Sequence, residues 1–426
     1  MPGLGLDFGT TNSAIAVADA NGVRLARFGA GGTSTFRSVL FFDPDERRNN
    51  KPLSVAGPEA IERYLAADGA GRLILSTKSH LASRTLKGTQ IFSSAYTLEG
   101  LVGLIAGALR AGGAAQLGGQ SGLSGRVVVG RPVRFSGADT AEDDAYALGR
   151  LRAALRLGGF ADESIVFEYE PVAAAYHYER RLATDELVLV ADFGGGTSDF
   201  SLLRVGPGAR AGGKERILGV EGVALAGDAF DAKIVRHLVA PELGRGARYT
   251  IQGKEMTVPP WLFSHLERWH HLSFLKTREN LQLLERIHDG AEGKDAERIA
   301  AFRNVVDNDL AYHLYCAVER VKVELSSRSY ATLRFDDPRI EKTLAREELE
   351  AWIAPELQAI EAAVDRLLAA TGIDPGAVDR VFMTGGSSFV PAVRRIFGHR
   401  FGEAKLTGGD ELVSIASGLA LRARDL

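Results

Sequence analysis

The sequence predicts an α/β protein of two similar lobes, each with a mixed sheet flanked by helices, and a cleft between them. The main observation is a pattern that occurs twice: residues 4–13 read LGLDFGTTNS and residues 188–198 read VLVADFGGGTS. In both copies Asp-Phe-Gly ends an apolar run, a Ser follows the Asp six positions later, and a second apolar run begins. A strand, a Gly/Thr turn and a second strand predict a β-hairpin whose turn presents backbone N–H groups and hydroxyls. Two such hairpins, about half a chain apart, indicate two lobes that close on one polyphosphate.

Length and composition agree with this interpretation. A chain of 426 residues is long enough for two or three domains, and 45% hydrophobic with 25% charged residues is typical of a globular protein. The net charge of -3 gives no electrostatic reason to expect nucleic acid or an anionic membrane as a partner. The single cysteine, Cys316, excludes an internal disulfide framework, fits a reducing compartment, and is expected to be a small buried residue.

The N-terminus and the apolar runs predict a cytoplasmic location. The first strand begins at Leu4, which leaves no room for a signal peptide. The longest apolar runs, such as residues 101–109, fall short of the roughly 20 residues that span a bilayer.

Strands and helices alternate in the first half, which favours helices layered on a mixed sheet. The predicted elements after the first hairpin are, in order, a strand and charged turn at 39–52, a Gly-rich loop at 111–125, a strand at 126–130, a helix at 141–159 with acidic residues in its first turn, a strand at 164–171, and a helix from 172.

The second half begins with the second hairpin at about residue 186. Residues 227–339 then lose the strand signal and become charged and helical. One predicted helix face in this stretch consists of Leu310, Leu314, Val318, Val321 and Leu325. A strand at 379–386 follows, and Pro391 begins a short helix.

These patterns predict three parts of the chain. They are a first lobe at 1–184 with an outer subdomain at about 37–121, a second lobe at 185–409 with an outer, mainly helical subdomain at about 227–339, and a C-terminal helix at 410–426 that returns to the first lobe.

The first turn carries groups suited to phosphate. Gly9 permits close backbone approach, and Thr10, Thr11 and Asn12 are small hydrogen-bonding residues. Asp7 at the strand end is a candidate outer ligand for Mg²⁺, which keeps several waters. An Asp that merely closes a turn would give the same pattern.

The second turn is the stronger signal. Three consecutive glycines, 194–196, contribute little to packing and raise the entropic cost of folding. Placed between Asp192 and Thr197, they let consecutive N–H groups face an anion, and Asp199 adds a second carboxylate. This pattern favours phosphate binding over an ordinary turn.

A third Gly-rich turn, TGGSS at 384–388, lies between a strand and a helix. It could bind phosphate at the helix N-terminus, or a nucleoside could lie flat against the bare glycines.

Several other nucleotide and metal motifs are missing from the sequence. It contains no G-x-x-x-x-G-K-[ST] and no G-x-G-x-x-G between a strand and a helix. Asp-Phe-Gly also occurs in protein kinases, but the H-R-D loop is missing. His265, His270 and His271 lack metal-ligand spacing, so a helix surface is expected there rather than a zinc site.

Taken together, the three turns resemble the actin-like ATPase superfamily, and within it the ATPase domain of the seventy-kilodalton heat-shock chaperones of the DnaK type. The resemblance runs nearly end to end. The matching motifs, in order, are DFGTTNS, EYEPVAAAY, DFGGGTSDFSLL, AGDAFD, ERVKVELSS and TGGSSFVP. GRPVRF and FEYEPVAA resemble the short YegD-type branch in particular.

The resemblance implies an actin-like ATPase fold and the following roles. Thr10, Thr11 and Asn12 hold the β- and γ-phosphates of ATP from one side, with Gly9 in the same turn, and Gly194, Gly195, Gly196 and Thr197 hold them from the other, beside Gly227 and Asp228. The residues around Mg²⁺ and the attacking water are Asp7, Glu170, Asp192 and Asp199, with Thr197 near the γ-phosphate and Lys78 stabilising the transferring group. The adenosine contacts are Glu319, Lys322, Ser326, Gly385, Gly386 and Ser387.

The chain departs from the family pattern in three respects. Val323 and Phe389 stand where the family usually has arginines that flank adenine, and Phe389 could stack on the base instead. After the ATPase domain, family members continue into a peptide-binding domain, whereas ALRARDL ends this sequence. A chaperone role would then need another surface or a protein partner.

The leading hypothesis is therefore a slow, Mg²⁺-dependent ATPase of the chaperone type, expected to be a monomer that acts as a conformational switch between ATP and ADP states. One alternative is a small-molecule kinase of the same superfamily, acting for example on a sugar. The other is an actin-like protein that forms filaments with ATP.

Overall fold

The computed structural model of the chain describes residues 2–29, 31–48, 51–67, 71–118, 125–209, 213–268, 275, 277–308, 310–407 and 415–426. Three parts of the sequence predictions lie outside these residues. They are positions 119–124 of the predicted loop, His270 with His271, and positions 410–414 of the predicted C-terminal helix.

The first half of the chain contains eleven named strands and four named helices within the described ranges. The strands are β1 (Gly3–Phe8), β2 (Asn12–Asp19), β3 (Gly22–Leu25), β4 (Phe36–Arg37), β5 (Leu40–Arg48), β6 (Lys51–Ala56), β7 (Arg72–Ile74), β8 (Gly88–Ile91), β9 (Ser94–Thr97), β10 (Val127–Arg131) and β11 (Ile165–Tyr169). The helices are α1 (Pro58–Ala66), α2 (Leu98–Gln116), α3 (Ala141–Leu157) and α4 (Glu170–Glu179), with 3₁₀ turns at Thr77–His80 and Asp162–Ser164.

The second half follows with nine named strands and nine named helices in the described ranges. The strands are β12 (Glu186–Phe193), β13 (Ser198–Val205), β14 (Ile217–Val223), β15 (Arg248–Ile251), β16 (Lys254–Thr257), β17 (Tyr330–Phe335), β18 (Ile340–Ala345), β19 (Arg380–Thr384) and β20 (Leu406–Thr407). The helices are α5 (Gly227–Ile234), α6 (Pro260–Leu266), α7 (Arg278–Asp289), α8 (Gly293–Asp307), α9 (Ala311–Ser327), α10 (Arg346–Trp352), α11 (Ala354–Thr371), α12 (Pro391–Phe401) and α13 (Ile415–Asp425). A π-helical turn covers Val235–Val239, and 3₁₀ turns cover Gly213–Arg216, Pro375–Ala377, Gly386–Phe389 and Glu403–Lys405.

The two halves contain sheets of the same topology. The first sheet runs β3-β2-β1-β10-β11, with β4 also paired to β2, and the second runs β14-β13-β12-β19-β20. In each sheet the first three strands are antiparallel and the last two join in parallel. The two predicted hairpins, β1-β2 and β12-β13, therefore occupy the same place in their sheets, and this is the predicted two-lobed α/β architecture.

Successive side chains of a β-strand point to opposite faces of the sheet, so every second residue of each hairpin strand faces the core of its lobe. In β1, Leu4, Leu6 and Phe8 point into the first-lobe core beneath α2 and α3. In β12, Leu187, Leu189, Ala191 and Phe193 point into the larger second-lobe core. The period of two places the opposite face of each strand toward other helices.

Helices α4 and α13 cover those opposite faces. Gly3 and Gly5 of β1 have no side chain, and a Cβ at either position would lie 2.1 Å from the backbone of α13. Glycine thus lets the C-terminal helix lie directly on β1. Helix α4 packs Val172, Ala174 and Ala175 against Val188 and Val190 of β12.

The prediction of a Gly-rich loop at 111–125 is wrong for residues 111–116, because α2 continues to Gln116. Its glycines serve close packing instead of a turn. A Cβ at Gly113 would lie 2.9 Å from Ile15, and one at Gly112 would lie 2.9 Å from Phe28.

Three further predictions are corrected. The charged stretch after residue 42 is no turn, because it belongs to β5, which pairs with β6. The segment 227–339 is not free of strands, since it contains the β15-β16 hairpin and β17. Cys316 is half-buried on α9, because the fully buried face of that helix is formed by Leu314, Val318, Val321 and Leu325.

Among the described residues, one helix is long and apolar enough to cross a membrane by length and composition, and it is α2. The apolar run at 101–109 is thus part of a longer helix. This is weak evidence for a membrane span, because half of that helix is already buried and core helices pass the same test.

Candidate functional site

The turns of the two hairpins face each other across a cleft between the sheets. A Cβ atom added to Gly195 in the second turn would lie 2.6 Å from Oγ1 of Thr11 in the first turn. The two turns therefore approach to within the width of one side chain. The cleft that begins between them has a volume of about 1560 Å³.

Almost all of the predicted site residues line this one cleft. They are Asp7, Gly9, Thr10, Thr11, Asn12, Lys78, Glu170, Asp192, Gly194, Gly195, Gly196, Thr197, Asp199, Gly227, Asp228, Glu319, Lys322, Ser326, Gly385, Gly386 and Ser387. These positions span 381 residues of sequence, so the fold alone brings them together.

In the first turn, four residues from Gly9 to Asn12 separate Phe8 and Ser13, the last residues that pair between β1 and β2. The N–H of Gly9 donates to Oγ of Ser13 at 3.2 Å, and Ser13 is itself paired with Ser38. A Cβ at Gly9 would lie 2.1 Å from the carbonyl oxygen of Asn12, so only glycine fits this position. The turn leaves the polar groups of Thr10 and Thr11 at the cleft wall.

The second turn has the same length and is tied to the start of α5. The N–H of Gly194 donates to the carbonyl of Thr197 at 2.9 Å. The Thr197 hydroxyl donates to Asp199 at 3.1 Å, and the N–H of Asp228 donates to the carbonyl of Gly195 at 2.9 Å. These bonds fix the turn while its glycines remain open toward the cleft.

Carboxylates lie at the ends of β1 and β12, directly beneath the turns. Burial, with repulsion from Glu170, raises the pKa of Asp7 to about 7. Burial also raises the pKa of Asp192 to about 7, with Glu170 and Asp199 adding to the effect and the Thr384 hydroxyl opposing it. Burial raises the pKa of Asp199 as well. The cleft thus concentrates negative charge that a bound cation would relieve.

Lys78 reaches into this acidic region from the 3₁₀ turn Thr77–His80. Its Nζ donates to Oε1 of Glu170 at 2.9 Å, and both side chains are largely buried. Burial alone would lower the pKa of Lys78, but attraction to Glu170 and Asp7 outweighs it and the pKa is raised. The turn follows Ser76, which has a left-handed φ of 54°.

The acidic residues suit a metal held mainly through water and ligand oxygens. Among the described residues, no group of three or more His, Cys, Asp or Glu side chains is arranged to hold a metal ion. The predicted set of Asp7, Asp192 and Asp199 is thus not a direct three-ligand site in this structure. Mg²⁺ usually keeps several waters and takes only one or two carboxylates plus phosphate oxygens, so the donor set fits that ion when phosphate is present.

The far end of the cleft is formed by α9 and the third turn. Glu319, Lys322 and Ser326 lie on one face of α9 and line the cleft. Opposite them, Gly385 has a φ of 84°, and a Cβ there would lie 1.9 Å from the carbonyl oxygen of Phe193. The third turn is therefore pressed against the end of β12, beside the second turn.

One predicted residue lies elsewhere. Phe389 is not among the cleft-lining residues, and its side chain is 56% exposed. It closes the 3₁₀ turn Gly386–Phe389, where its side chain points to solvent. Its stacking on a base stays a prediction. Val323 lines the cleft but is 62% exposed.

The structure adds cleft residues that the sequence did not reveal. Arg37, Tyr312 and Tyr315 also line the cleft, and the two tyrosines lie on α9. Nη2 of Arg37 donates to Oε2 of Glu319 at 3.2 Å across the cleft. Asp231 lies behind Lys322 and bonds to it. Only Asp231 had a signal, since it belongs to the AGDAFD motif.

The fold and the cleft define a two-lobed protein of the actin-like ATPase superfamily. The family model described as Hsp70 protein matches residues 150–257 and 298–425, which together are more than half of the chain. The chain therefore belongs to the Hsp70 family. Members of this family bind ATP and ADP, are ATPases, and commonly work with co-chaperones.

The matched segments contain the second and third turns, Glu170 and α9, but not the first turn or Lys78. The place of the first turn and of Lys78 in the site therefore rests on their positions in the structure. The shared sheet topology and the approach of Thr11 to Gly195 relate the first turn to the second.

Proposed function

We propose that this chain binds Mg·ATP between its two turns and hydrolyses it slowly, as a chaperone-type nucleotide switch of the YegD-type branch. The observation that carries the proposal is the approach of the two duplicated turns, with Thr11 and Gly195 on opposite sides of one cleft. Family membership supports ATP binding and the general ATPase chemistry.

The phosphates would lie between the turns. Thr10, Thr11 and Asn12 would donate from the first lobe, and the N–H groups of Gly195 and Gly196 from the second. Bound Mg²⁺ would supply positive charge that neutralises part of the charge of the phosphates. Asp7, Asp192 and Asp199 would hold its water ligands.

The hydrolytic step needs a cation beside the transferring phosphoryl group and an oriented water. Lys78, kept protonated by Glu170, supplies the cation. Glu170 accepts from Lys78 with Oε1, and its other oxygen is available to orient the water. The Thr197 hydroxyl, held by Asp199, lies at the same end of the cleft.

The change between ATP and ADP states would follow because ATP contacts both lobes at once. ATP joins groups on both lobes, and loss of the γ-phosphate removes some of these contacts. A change in lobe closure would then alter the surface that protein partners meet. We also propose that the protein acts in the cytoplasm as a monomer.

The test is calorimetric titration with Mg·ADP and Mg·ATP, followed by phosphate release without any added acceptor. We expect micromolar or tighter binding by the wild type and a slow release of phosphate. The Lys78→Ala/Thr197→Ala variant should lose phosphate release. Lys87→Ala, an exposed lysine of the same lobe, is the matched control and should behave as wild type.

Four outcomes would contradict the proposal. Wild type that binds neither nucleotide would remove it entirely. Unchanged turnover in the double variant would remove the assigned catalytic roles. Turnover that requires a sugar would favour the kinase alternative, and ATP-dependent sedimentation would favour a filament.

A further inference from the structure

Asp231 is a buried carboxylate beside α9, at one end of the cleft. It lies on α5 and its residue is 1% exposed. Its Oδ2 accepts from Nζ of Lys322 at 2.6 Å and from the hydroxyl of Tyr315 at 3.0 Å. Both donors come from α9, seven residues apart in sequence, so the carboxylate is held against one face of that helix.

Lys322 lies between Asp231 and the third turn. Its Nζ also donates to the carbonyl of Gly227 at 3.4 Å. A Cβ placed on Gly227 would lie 3.2 Å from this Nζ and 3.0 Å from Oγ of Ser387. The ammonium group therefore lies where α5, α9 and the third turn meet, at the wall of the cleft.

Helix α5 connects this point to the phosphate end. Its second residue, Asp228, bonds through its N–H to the carbonyl of Gly195 in the second turn. Asp231 follows three positions later, one turn along the same helix. One turn of α5 thus separates Asp228, which contacts the second turn, from Asp231, which holds the Lys322 ammonium.

The charge of Asp231 is maintained at slightly alkaline pH. Burial raises the pKa of Asp231 to about 6, and the ammonium of Lys322 opposes this rise. The other charged groups that raise it are Glu319 on α9 and Asp228 on α5. At pH 8 the carboxylate is ionised and the pair is a charge-assisted hydrogen bond.

We propose that Asp231 is a positioning residue, which holds the Lys322 ammonium at a fixed point where it donates to the ribose or base of the bound nucleotide. This inference rests on the proposed function. Without the carboxylate, the long Lys322 side chain would sample many rotamers and donate less often to the nucleotide. The alternative is that Asp231 and Lys322 form a purely structural ion pair, whose loss destabilises the fold and leaves nucleotide affinity unchanged.

The experiment is a double-mutant cycle on affinity for Mg·ADP, measured by calorimetry at pH 8 with the full chain. The variants are Asp231→Asn, Lys322→Met and the two combined. We expect each single variant to bind Mg·ADP roughly tenfold more weakly than wild type. The combined variant should bind no more weakly than Lys322→Met alone, because Asp231 acts only through Lys322.

Lys233→Met is the matched control. It breaks another largely buried ion pair of α5, in which Nζ of Lys233 lies 2.9 Å from Oε1 of Glu356 away from the described cleft lining, so its affinity should stay within about threefold of wild type. Asp231→Ser repeats the test with a smaller polar side chain if Asp231→Asn lacks a cooperative melting transition, and the same tenfold loss is expected.

Two results would overturn the inference. One is Mg·ADP affinity within twofold of wild type in a folded Asp231 variant. The other is a full additional loss when Asp231→Asn is combined with Lys322→Met. Wild type that does not bind Mg·ADP would instead contradict the proposed function, so the two failures are distinguishable.

Discussion

Arg37 and Glu319 form an ion pair that joins the two lobes across the cleft, with Nη2 and Oε2 3.2 Å apart. Arg37 lies on β4, opposite Asn12 of the first turn, and Glu319 lies on α9. The rings of Tyr64 and Tyr312 meet nearby in an edge arrangement with centroids 6.5 Å apart. Both contacts between the lobes therefore involve α9, at one end of the cleft.

We expect Arg37→Gln to speed the release of Mg·ADP. The two side chains are 29% and 35% exposed, so the pair contributes about 0.5–1 kcal/mol, which corresponds to a roughly two- to fivefold faster release. Stopped-flow displacement measures this rate. The difference from wild type should shrink at high salt, because salt screens half-exposed pairs.

Arg63→Gln is the control for this prediction. Arg63 pairs with Glu59 and Glu46 within one lobe, and among the residues that the structure describes it has no ion-pair partner across the cleft. Equal release rates for the Arg37 and Arg63 variants would show that the cross-lobe pair does not restrain the nucleotide.

Gly195→Ala should weaken Mg·ADP binding by more than about tenfold. The added methyl group would lie 2.6 Å from Oγ1 of Thr11, in the space that we assign to phosphate. Gly149→Ala is the control, since Gly149 lies on α3 away from the described cleft lining and its methyl group would meet nothing within 4 Å. Calorimetry measures the Mg·ADP affinity of both variants. Equal affinities would contradict the assignment of the phosphate site.

The buried carboxylates predict a stability that depends on pH. The pKa of Asp192 rises from 3.8 to about 7 on folding, so the folded state binds more protons between these values and stability falls as pH rises through that range. Asp192→Asn removes the ionisation and should raise the melting temperature of the metal-free protein.

That gain should be larger at pH 8 than at pH 5, by about 2 °C or more. Thermal melts in the presence of a chelator measure the difference. A gain of the same size at both pH values would show that burial of the charge does not destabilise the fold.

The third turn predicts that alanine substitutions at its two neighbouring glycines differ in their effect on stability. Gly385→Ala should lower the free energy of unfolding by about 2 kcal/mol or more, because φ is 84° and the Cβ would lie 1.9 Å from the Phe193 carbonyl. Gly386→Ala meets nothing within 4 Å and should change it by about 0.5 kcal/mol or less. Denaturant unfolding compares the two, and a Gly385 variant as stable as wild type would refute the close contact.

The sequence predicted the parts of the fold that depend on local pattern. The duplicated Asp-Phe-Gly turns predicted both hairpins and their common cleft, because strand periodicity and glycine turns are local signals. The β15-β16 hairpin was missed because its two strands have four residues each and lie among charged helices.

The site residues divide in the same way. Thr11 and Gly195 could be paired in advance because both belong to copies of one motif. Arg37 could not, since its partner Glu319 is 282 positions away and nothing near Arg37 signals a contact. Phe389 was placed in the cleft by analogy with its motif position, and the 3₁₀ turn directs it to solvent. The predicted lobe boundaries remain predictions.

The central claim is that the two turns hold one nucleotide from opposite lobes. A crystal structure of the chain with Mg·ADP tests it most directly. We expect the terminal phosphate to lie between the turns, with oxygens within about 3.2 Å of donors on both Thr11 and Gly195. A phosphate bound by only one turn, or a nucleotide bound outside this cleft, would contradict the account.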